Sequence, residues 1–439
     1  MSKKTPIDYE TVKSVIDSFR LPDFDHATIR EIVAMANKIE SLTGEKFVRL
    51  EMGSPGLPPE QRGVEAEIEA LRSGIAAKYP PLPGAPVLKS AASKFVKAFM
   101  DVDVSEEACV PTTGSMQGCF ASFLLCGQCD KKKDTILFID PGFPVQKNQL
   151  EVLGMKHVSF DTYEYRGEKL ADKVEEYLKS GRICAMLYSN PNNPAWTCLT
   201  EGELESIGRL ATKYDAIVIE DLAYFGMDFR QDITRPYEPP YQATVAKYTD
   251  NYILMISGSK AFSYAGQRIA VAAISDKLYA REYDGLREQY GIAGFGNVFV
   301  NRILYTLSSG TAHSAQYALA AMFNAAVNGE YNFLTDVHEY GRRAAKLKKI
   351  FLSNGFYIVY DKDVDNEVGD GFYFTIGYPG MTGGELMYEL MFYGVSAISL
   401  STTGSAQQGL RVCTSFIRDD QYDMLAERMK LFNENNKPQ

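Results

Sequence analysis

The chain has 439 residues, with 46 Lys and Arg against 56 Asp and Glu and a formal net charge of −10. This length predicts one large domain together with a smaller one. The acidic balance, without any dense Lys/Arg block, argues against a dedicated nucleic-acid binder. No apolar run approaches the roughly 20 residues that a membrane-spanning helix needs, so we expect a cytoplasmic protein that does not enter membranes.

Short apolar runs alternate with longer amphipathic segments between about Asp134 and Ser275, a rhythm typical of α/β folds. The runs suit strands buried on both faces, and they are Thr135–Ile139, Ile183–Tyr188, Ala216–Ile219, Tyr252–Ile256 and Ile269–Ile274. Helices are predicted between the earlier runs, at residues 144–153, 169–180 and 201–214, the last with Thr200 as its cap. Strands joined by helices imply a mostly parallel sheet.

A different pattern follows this region. The chain is mostly helical from Asp276 to about Leu352, and a new set of strands and turns begins at Gly355 and closes with a helix from about Asp419 to Asn433. We therefore predict three parts: an N-terminal segment of residues 1–68 that packs with the small domain, a large domain of residues 69–320, and a small domain of residues 321–439.

The most informative motif is Ser257-Gly258-Ser259-Lys260, which follows an apolar strand. A half-buried lysine beside another cation, which Arg268 could supply, favours the neutral amine that attacks an aldehyde to form a Schiff base. Taken alone, such a lysine is more often structural.

Three further polar groups are predicted at the same sheet edge, where open α/β folds bind ligands. Asp221 ends one strand and Tyr224 follows it, and Asn193 lies in a turn after another strand. In isolation, Asp221 could be a helix cap and the turn only a turn.

Two more features complete the set. Gly114-Ser115 precedes a predicted helix, 116–125, whose free N–H groups form an anion cup. Phe143 follows another strand, where it could stack on a flat ligand or belong to the core. An amine for an aldehyde, a carboxylate for a ring nitrogen, a phenol and an amide for a ring hydroxyl, a phosphate cup and a stacking ring together describe a pyridoxal-phosphate site.

The motifs resemble those of class I/II aminotransferases, which are pyridoxal-phosphate enzymes of fold type I, and the resemblance runs from about Gly53 to Arg411. Its specific parts are N-P-x-N-P at 190–194, D-x-A-Y at 221–224, and S-x-S-K followed by G-x-R at 257–268. The resemblance implies a large domain with a mostly parallel, mixed sheet flanked by helices, and a smaller C-terminal α/β domain.

The resemblance also implies roles for individual residues. Lys260 forms the Schiff base, Asp221 pairs with the ring nitrogen, and Asn193 and Tyr224 bond the ring hydroxyl. The ring lies against Phe143, and the phosphate is held by Gly114, Ser115, the Met116 amide, Ser257 and Arg268.

Substrate and partner residues follow from the same resemblance. Arg411 grips the substrate carboxylate with a bidentate fork, and Gly53 lines the substrate site together with Asn193. Tyr79 reaches the phosphate of the neighbouring subunit, which implies a homodimer with shared active sites. One departure is Ala195-Trp196, where relatives often have Thr-Gly, so we expect this turn to pack differently.

The implied reaction moves an amino group from an L-amino acid to a 2-oxo acid by a ping-pong mechanism, as part of amino-acid metabolism. Two alternatives stay open: a β-lyase acting on C–S bonds with the same cofactor, and a cofactor-binding regulator without catalysis. No metal site is predicted, because the C-x-x-C at Cys126–Cys129 lacks a second ligand pair and the four histidines are scattered.

Overall fold

The computed structural model describes residues 4–437. The N-terminal elements are α1 (Tyr9–Phe19), α2 (Ile29–Thr43), β1 (Val48–Arg49), α3 (Gln61–Arg72) and α4 (Pro86–Met100). The central elements are β2 (Cys109–Thr112), α5 (Gly114–Cys129), β3 (Thr135–Asp140), α6 (Pro144–Leu153), β4 (Lys156–Asp161), α7 (Glu168–Leu178), β5 (Ile183–Ser189), α8 (Glu201–Tyr214), β6 (Ile217–Leu222), β7 (Tyr252–Ser257) and β8 (Ala270–Ile274).

The region after β8 is helical as predicted, with a π-helical turn at Phe299–Leu304. Its helices are α9 (Asp276–Ala280), α10 (Asp284–Tyr290), α11 (Phe295–Val298), α12 (Tyr305–Ser308), α13 (His313–Val327) and α14 (His338–Leu352). The remaining elements are β9 (Tyr357–Ile358), β10 (Lys362–Asp363), β11 (Asn366–Glu367), β12 (Tyr373–Gly377), α15 (Gly383–Phe392), β13 (Val395–Ser396), β14 (Ile398–Ser399), β15 (Leu410–Cys413) and α16 (Tyr422–Asn436).

A seven-stranded sheet in the order β2-β8-β7-β6-β5-β3-β4 forms the centre of the fold. Neighbouring strands from β4 to β7 are parallel, whereas β8 runs antiparallel to both β7 and β2. The strands predicted as buried on both faces are fully buried. The α/β class with a mostly parallel, helix-flanked sheet is therefore confirmed.

Two edge strands of this sheet were not predicted from the sequence. Strand β4 carries exposed and half-buried residues on a polar sequence, and β2 is four residues long and includes Pro111. Edge strands tolerate polar side chains and proline because one of their sides has no neighbouring strand to pair with. Neither segment therefore carries the apolar signature by which the central strands were found.

The helix predictions hold closely where caps or prolines mark the ends. Helices α6 and α8 have the predicted bounds, and Thr200 and Glu203 form a reciprocal capping box at the start of α8. Helix α5 is longer than predicted at both ends, so Gly114 and Ser115 form its first turn. The free N–H groups of that turn lie at the carboxyl edge of the sheet.

A second, antiparallel sheet has the order β14-β15-β12-β9, and β1 pairs in parallel with β13. Apolar side chains of α1 and α2, such as Val12 and Met35, share one core with Leu386 and Phe432. The predicted boundaries at residues 68 and 320 fall inside α3 and α13, which pack on each other, and the division into domains stays a prediction. Within residues 4–437, no helix has both the length and the apolar character needed to cross a membrane.

Candidate active site

The carboxyl ends of β5, β6 and β7 open into a cavity of about 460 Å³ between the two sheets. Nearly all of the predicted site residues line it: Gly53, Ser115, Met116, Phe143, Asn193, Asp221, Tyr224, Ser257, Lys260, Arg268 and Arg411. Gly114 lies directly behind Arg268, since a Cβ at Gly114 would be 2.5 Å from Arg268 Nη2. Tyr79 is outside the cavity and 89% exposed.

Lys260 is half-buried in the loop after β7. Its Nζ contacts the Gly53 carbonyl oxygen and lies 5.0 Å from the centroid of the Phe372 ring. Burial lowers the pKa of the lysine to about 8. Nearby Cys413 opposes this effect, and the positive charges of Arg411 and, to a smaller extent, Arg268 lower the pKa further. The desolvation inferred from the sequence is therefore the main cause, but Arg411 is a larger influence than Arg268.

Asp221 lies near the end of β6 and is 7% exposed. Its carboxylate accepts hydrogen bonds from Gln146 Nε2 (2.8 Å) and from the Ala223 backbone N–H (3.2 Å). Burial raises the carboxyl pKa to about 6, against the effect of these hydrogen bonds. No Lys or Arg in the described part of the chain pairs with it, so the site offers a buried carboxylate to a cationic ligand atom.

Asn193 lies in the turn after β5 and Tyr224 follows shortly after the end of β6, and both are buried. The Asn193 backbone N–H donates to Ser189 Oγ (3.1 Å), which ties the turn to the end of β5. Tyr224 Oη donates to Tyr373 Oη at 2.9 Å. An amide and a phenol therefore lie on the same wall of the cavity.

Trp196, the departure noted in the sequence, packs behind this wall with 1% of its surface exposed. Its ring meets Tyr224 edge-on at a centroid distance of 5.4 Å. A Cβ at Gly371 would lie 2.1 Å from the indole, so the tryptophan occupies the space that this glycine leaves. Trp196 supports Tyr224 and leaves Asn193 facing the cavity.

The first turn of α5 provides an anion site. The Ser115 hydroxyl is buried and has no hydrogen-bond partner within the described residues. Gly114 has φ +67°, a conformation that favours glycine, and its lack of a side chain lets the Arg268 guanidinium approach the helix N-terminus. An orphaned hydroxyl, free N–H groups and an arginine together fit a phosphate.

Arg411 lies on β15 and is 1% exposed. Its Nη2 donates to the Glu51 carbonyl oxygen (2.5 Å), Nη1 donates to Asn193 Oδ1 (3.4 Å), and the guanidinium stacks 4.8 Å from the Tyr373 ring centroid. Its Nε is buried without a partner, and among residues 4–437 no carboxylate pairs with Arg411. A buried, unpaired guanidinium facing a cavity is suited to bind a carboxylate ligand.

Comparison with known proteins identifies the family to which this chain belongs. The family model for class I and II aminotransferases matches residues 45–429. The chain belongs to this family. The protein is therefore a pyridoxal-phosphate-dependent aminotransferase. This finding rules out the alternative of a regulator without catalysis.

Individual relatives of this aminotransferase are distant and differ in their substrates. It is 24% identical over 381 residues to a (5-formylfuran-3-yl)methyl phosphate transaminase of Methanocaldococcus jannaschii, covering 85% of this chain and 87% of the relative. It is 24% identical over 249 residues to an asparagine–oxo-acid transaminase of Streptococcus mutans, an alignment that spans 56% of this chain and 61% of the relative. An alanine aminotransferase structure from Pyrococcus furiosus superposes with a TM-score of 0.75 at 20% identity, covering 94% of this chain and 98% of that one.

Three residues that contact the site of the aminotransferase were not predicted from its sequence. Gln146 bonds Asp221, the Glu51 carbonyl bonds Arg411, and Tyr373 contacts both Tyr224 and Arg411. Gln146 is a buried polar residue in the first turn of α6, and its position shortly after Phe143 was the available signal. Glu51 and Tyr373 gave no local signal, because the Glu51–Arg411 and Tyr373–Tyr224 contacts join segments more than 140 residues apart.

Proposed function

We propose that the predicted residues hold pyridoxal phosphate in the roles that the family resemblance implies. The observation that supports this proposal is the convergence of three groups on one cavity: the Lys260 amine, the Asp221 carboxylate and the Arg411 guanidinium. Within the described residues, Asp221 has no Lys or Arg partner and Arg411 has no carboxylate partner. The phosphate would be held by Gly114, Ser115, the Met116 amide, Ser257 and Arg268. The ring would lie against Phe143, with its nitrogen at Asp221 and its hydroxyl at Asn193 and Tyr224.

The chemistry then divides between the cofactor and the chain. Bound pyridoxal phosphate supplies an aldehyde for the amino group and a ring that stabilises negative charge on the α-carbon. Lys260, whose pKa burial lowers to about 8, is more often neutral near neutral pH than an ordinary lysine, and it moves the proton at the α-carbon. Arg411 holds the substrate carboxylate, so the α-carbon stays beside Lys260.

The transfer is proposed to follow a ping-pong course, in which the 2-oxo acid product leaves before the second oxo acid binds. An absorbance spectrum of the purified holoenzyme tests this course. We expect the visible band of the bound cofactor to decrease with a suitable amino acid and to return with a 2-oxo acid. A band that no amino acid alters, across a full panel, contradicts the proposal.

The β-lyase alternative uses the same cofactor-holding residues, so the cavity does not favour it. The same protein preparation separates the two reactions. Release of pyruvate and ammonia from cystathionine without any oxo acid supports the lyase, whereas oxo-acid-dependent amino transfer supports the transaminase alone.

We propose further that the substrate side chain is uncharged. Ile29, Met52 and Met116 contribute apolar surface to the cavity, and the described cations that line it, Lys260, Arg268 and Arg411, already have roles. Within the same chain, Arg287 and Arg302 do not line this cavity: Arg287 pairs with Glu282, and Arg302 is exposed. The kcat/KM for leucine or phenylalanine should exceed that for aspartate at least tenfold, an effect of about 1.4 kcal/mol; the reverse order contradicts this proposal.

We propose a cytoplasmic location on the basis of the sequence alone, and a homodimer with shared sites on the basis of Tyr79. Its ring is 89% exposed and lies outside the cavity of its own chain, as expected of a residue that serves a neighbouring subunit. Heterodimers of one Lys260→Ala subunit and one Tyr79→Ala subunit provide a decisive test. If Tyr79 acts across the interface, each heterodimer keeps one intact site and activity returns on mixing; if Tyr79 acts within its own chain, no site is intact and activity stays low.

A further inference from the structure

Tyr373 lies at the start of β12 with 1% of its surface exposed, between three parts of the candidate active site. Its hydroxyl is 2.9 Å from the Tyr224 hydroxyl, and its ring lies 4.8 Å from the Arg411 guanidinium. A Cβ at Gly53 would be 2.3 Å from the same hydroxyl, so the N-terminal segment closes over it. One side chain therefore contacts both the ring-hydroxyl end and the carboxylate end of the cavity.

The Tyr224 and Tyr373 hydroxyls have only two hydrogens between them, so each hydroxyl can donate one hydrogen bond. Burial raises the pKa of Tyr373 and of Tyr224 above the ordinary value for tyrosine, so both remain neutral and each carries one hydrogen. In the described part of the chain, the Tyr373 hydroxyl has one hydrogen-bond partner, Tyr224, which donates to it. If Tyr224 is to donate to a ligand in the cavity, the pair must reverse so that Tyr373 donates to Tyr224.

This reversal has a chemical consequence. A hydroxyl that accepts a hydrogen bond becomes a stronger donor through its own hydrogen, because consecutive hydrogen bonds polarise one another. The site is buried, where such effects are larger than in water. Tyr373 would thus strengthen the hydrogen bond from Tyr224 to the cofactor's ring oxygen and stabilise that oxygen in its anionic form.

We propose that Tyr373 is a positioning residue with two separable parts: its hydroxyl sets the donor strength of Tyr224 toward the cofactor, and its ring holds Arg411 for the substrate carboxylate. This inference rests on the proposed roles of Tyr224 and Arg411. The hydroxyl part acts on the bound cofactor without any substrate, and the ring part acts on substrate binding. Two substitutions at one position therefore separate them.

The first test is a pH titration of the visible absorbance band in the Tyr373→Phe holoenzyme without substrate. The midpoint should move upward by about 0.4 to 1 pH unit, the size of one hydrogen bond, because a weaker donor stabilises the anionic oxygen less. In a Tyr224→Phe background the same substitution should add no further shift, since the pair acts as a unit. An unchanged midpoint in Tyr373→Phe overturns the hydroxyl part.

The second test compares KM for the amino-acid substrate. Tyr373→Phe keeps the ring beside Arg411 and should leave KM within about twofold, whereas Tyr373→Leu removes the ring and should raise KM by about 2- to 30-fold, the range of a cation–π contact. Equal KM values in the two variants overturn the ring part.

A matched control removes another buried tyrosine hydroxyl. Tyr378 bonds Asn433 at 2.8 Å in the core shared with α16, and Tyr378→Phe should change neither the midpoint nor KM. If the Tyr378 variant shifts the midpoint as much as Tyr373→Phe does, the effect is general and the inference is overturned. A wild-type protein that takes up no cofactor overturns the proposed function itself, which is a different result from a wild-type band with an unshifted variant.

Discussion

Replacing Arg411 with methionine should make the protein more stable and much less active. The guanidinium is 1% exposed, has no carboxylate partner within residues 4–437, and leaves Nε unbonded. Replacing a buried ion pair by apolar residues is often stabilising by about 1 to 4 kcal/mol, and we expect this range for an unpaired cation as well, with the loss of its hydrogen bonds to the Glu51 carbonyl and Asn193 favouring the lower end. With an unfolding entropy of about 2.1 cal/mol/K per residue, a chain of 439 residues gains about 1 to 4 °C in Tm.

The activity of the same variant should change in the opposite direction. Loss of a buried charged partner of the substrate carboxylate costs about 2 to 5 kcal/mol, which corresponds to a fall in kcat/KM of about 30- to 4000-fold. Calorimetry of the substrate-free holoenzymes and steady-state kinetics measure the two effects, and Arg411→Lys serves as a control that keeps the charge without the planar fork. A variant with lower Tm and unchanged kcat/KM would refute the reasoning, because Arg411 would then be structural.

Two further substitutions test other parts of the site, and a third tests a buried carboxyl of β6 that does not line the cavity. Lys260→Ala should retain bound cofactor, since the phosphate cup and Asp221 remain, and should lose about 10⁴-fold in turnover; retained transamination contradicts the assignment. Asp221→Ala should weaken cofactor binding by about 10²-fold or more and reduce turnover as well, because it removes a buried charge partner, and equilibrium dialysis against pyridoxal phosphate measures the change. Glu220 is fully buried, and burial raises its pKa to about 7 against hydrogen bonds from Thr244 and Val245. Since this folded-state pKa lies above the ordinary 4.5, the folded state loses stability as pH rises from about 4.5 to 7; Glu220→Gln should therefore gain about 2.5 kcal/mol relative to wild type between pH 5 and pH 8. A Tm difference that stays constant with pH would show that Glu220 does not titrate in this way.

The central sheet was predictable because burial on both faces leaves a strong local signal. Runs such as 252–256 are apolar throughout, and capped helices such as α8 begin where the cap residues stand. Edge strands lack that signal, because β4 is polar on its outer side and β2 contains proline. The strands that were not predicted, β2 and β4, are thus the two that pair with only one neighbouring strand.

The cavity was predictable to the extent that its residues follow strands. Asp221 and Lys260 lie at or just after the ends of neighbouring parallel strands, β6 and β7, so the topology alone brings them together. The contacts that tune these groups come from distant segments: Gln146 to Asp221, and Glu51 and Tyr373 to Arg411. These contacts join separate elements of the fold, namely α6 to β6, the segment after β1 to β15, and β12 to β15. The local pattern of a single sequence does not specify such pairings.

The unpaired groups of the cavity form a consistent electrostatic set. Among residues 4–437, Asp221 is a buried carboxylate that pairs with no Lys or Arg, Arg411 is a buried cation that pairs with no carboxylate, and Ser115 is a buried hydroxyl without a hydrogen-bond partner. Each alone costs folding free energy, and Asp221 and Arg411 do not neutralise each other although both line one cavity. A ligand that carries a cationic ring nitrogen and a phosphate, followed by a substrate with a carboxylate, satisfies every one of these groups. If these residues hold the cofactor and substrate as proposed, the folded state carries uncompensated charges until its ligands bind, and the stability gained by Arg411→Met should measure part of that cost.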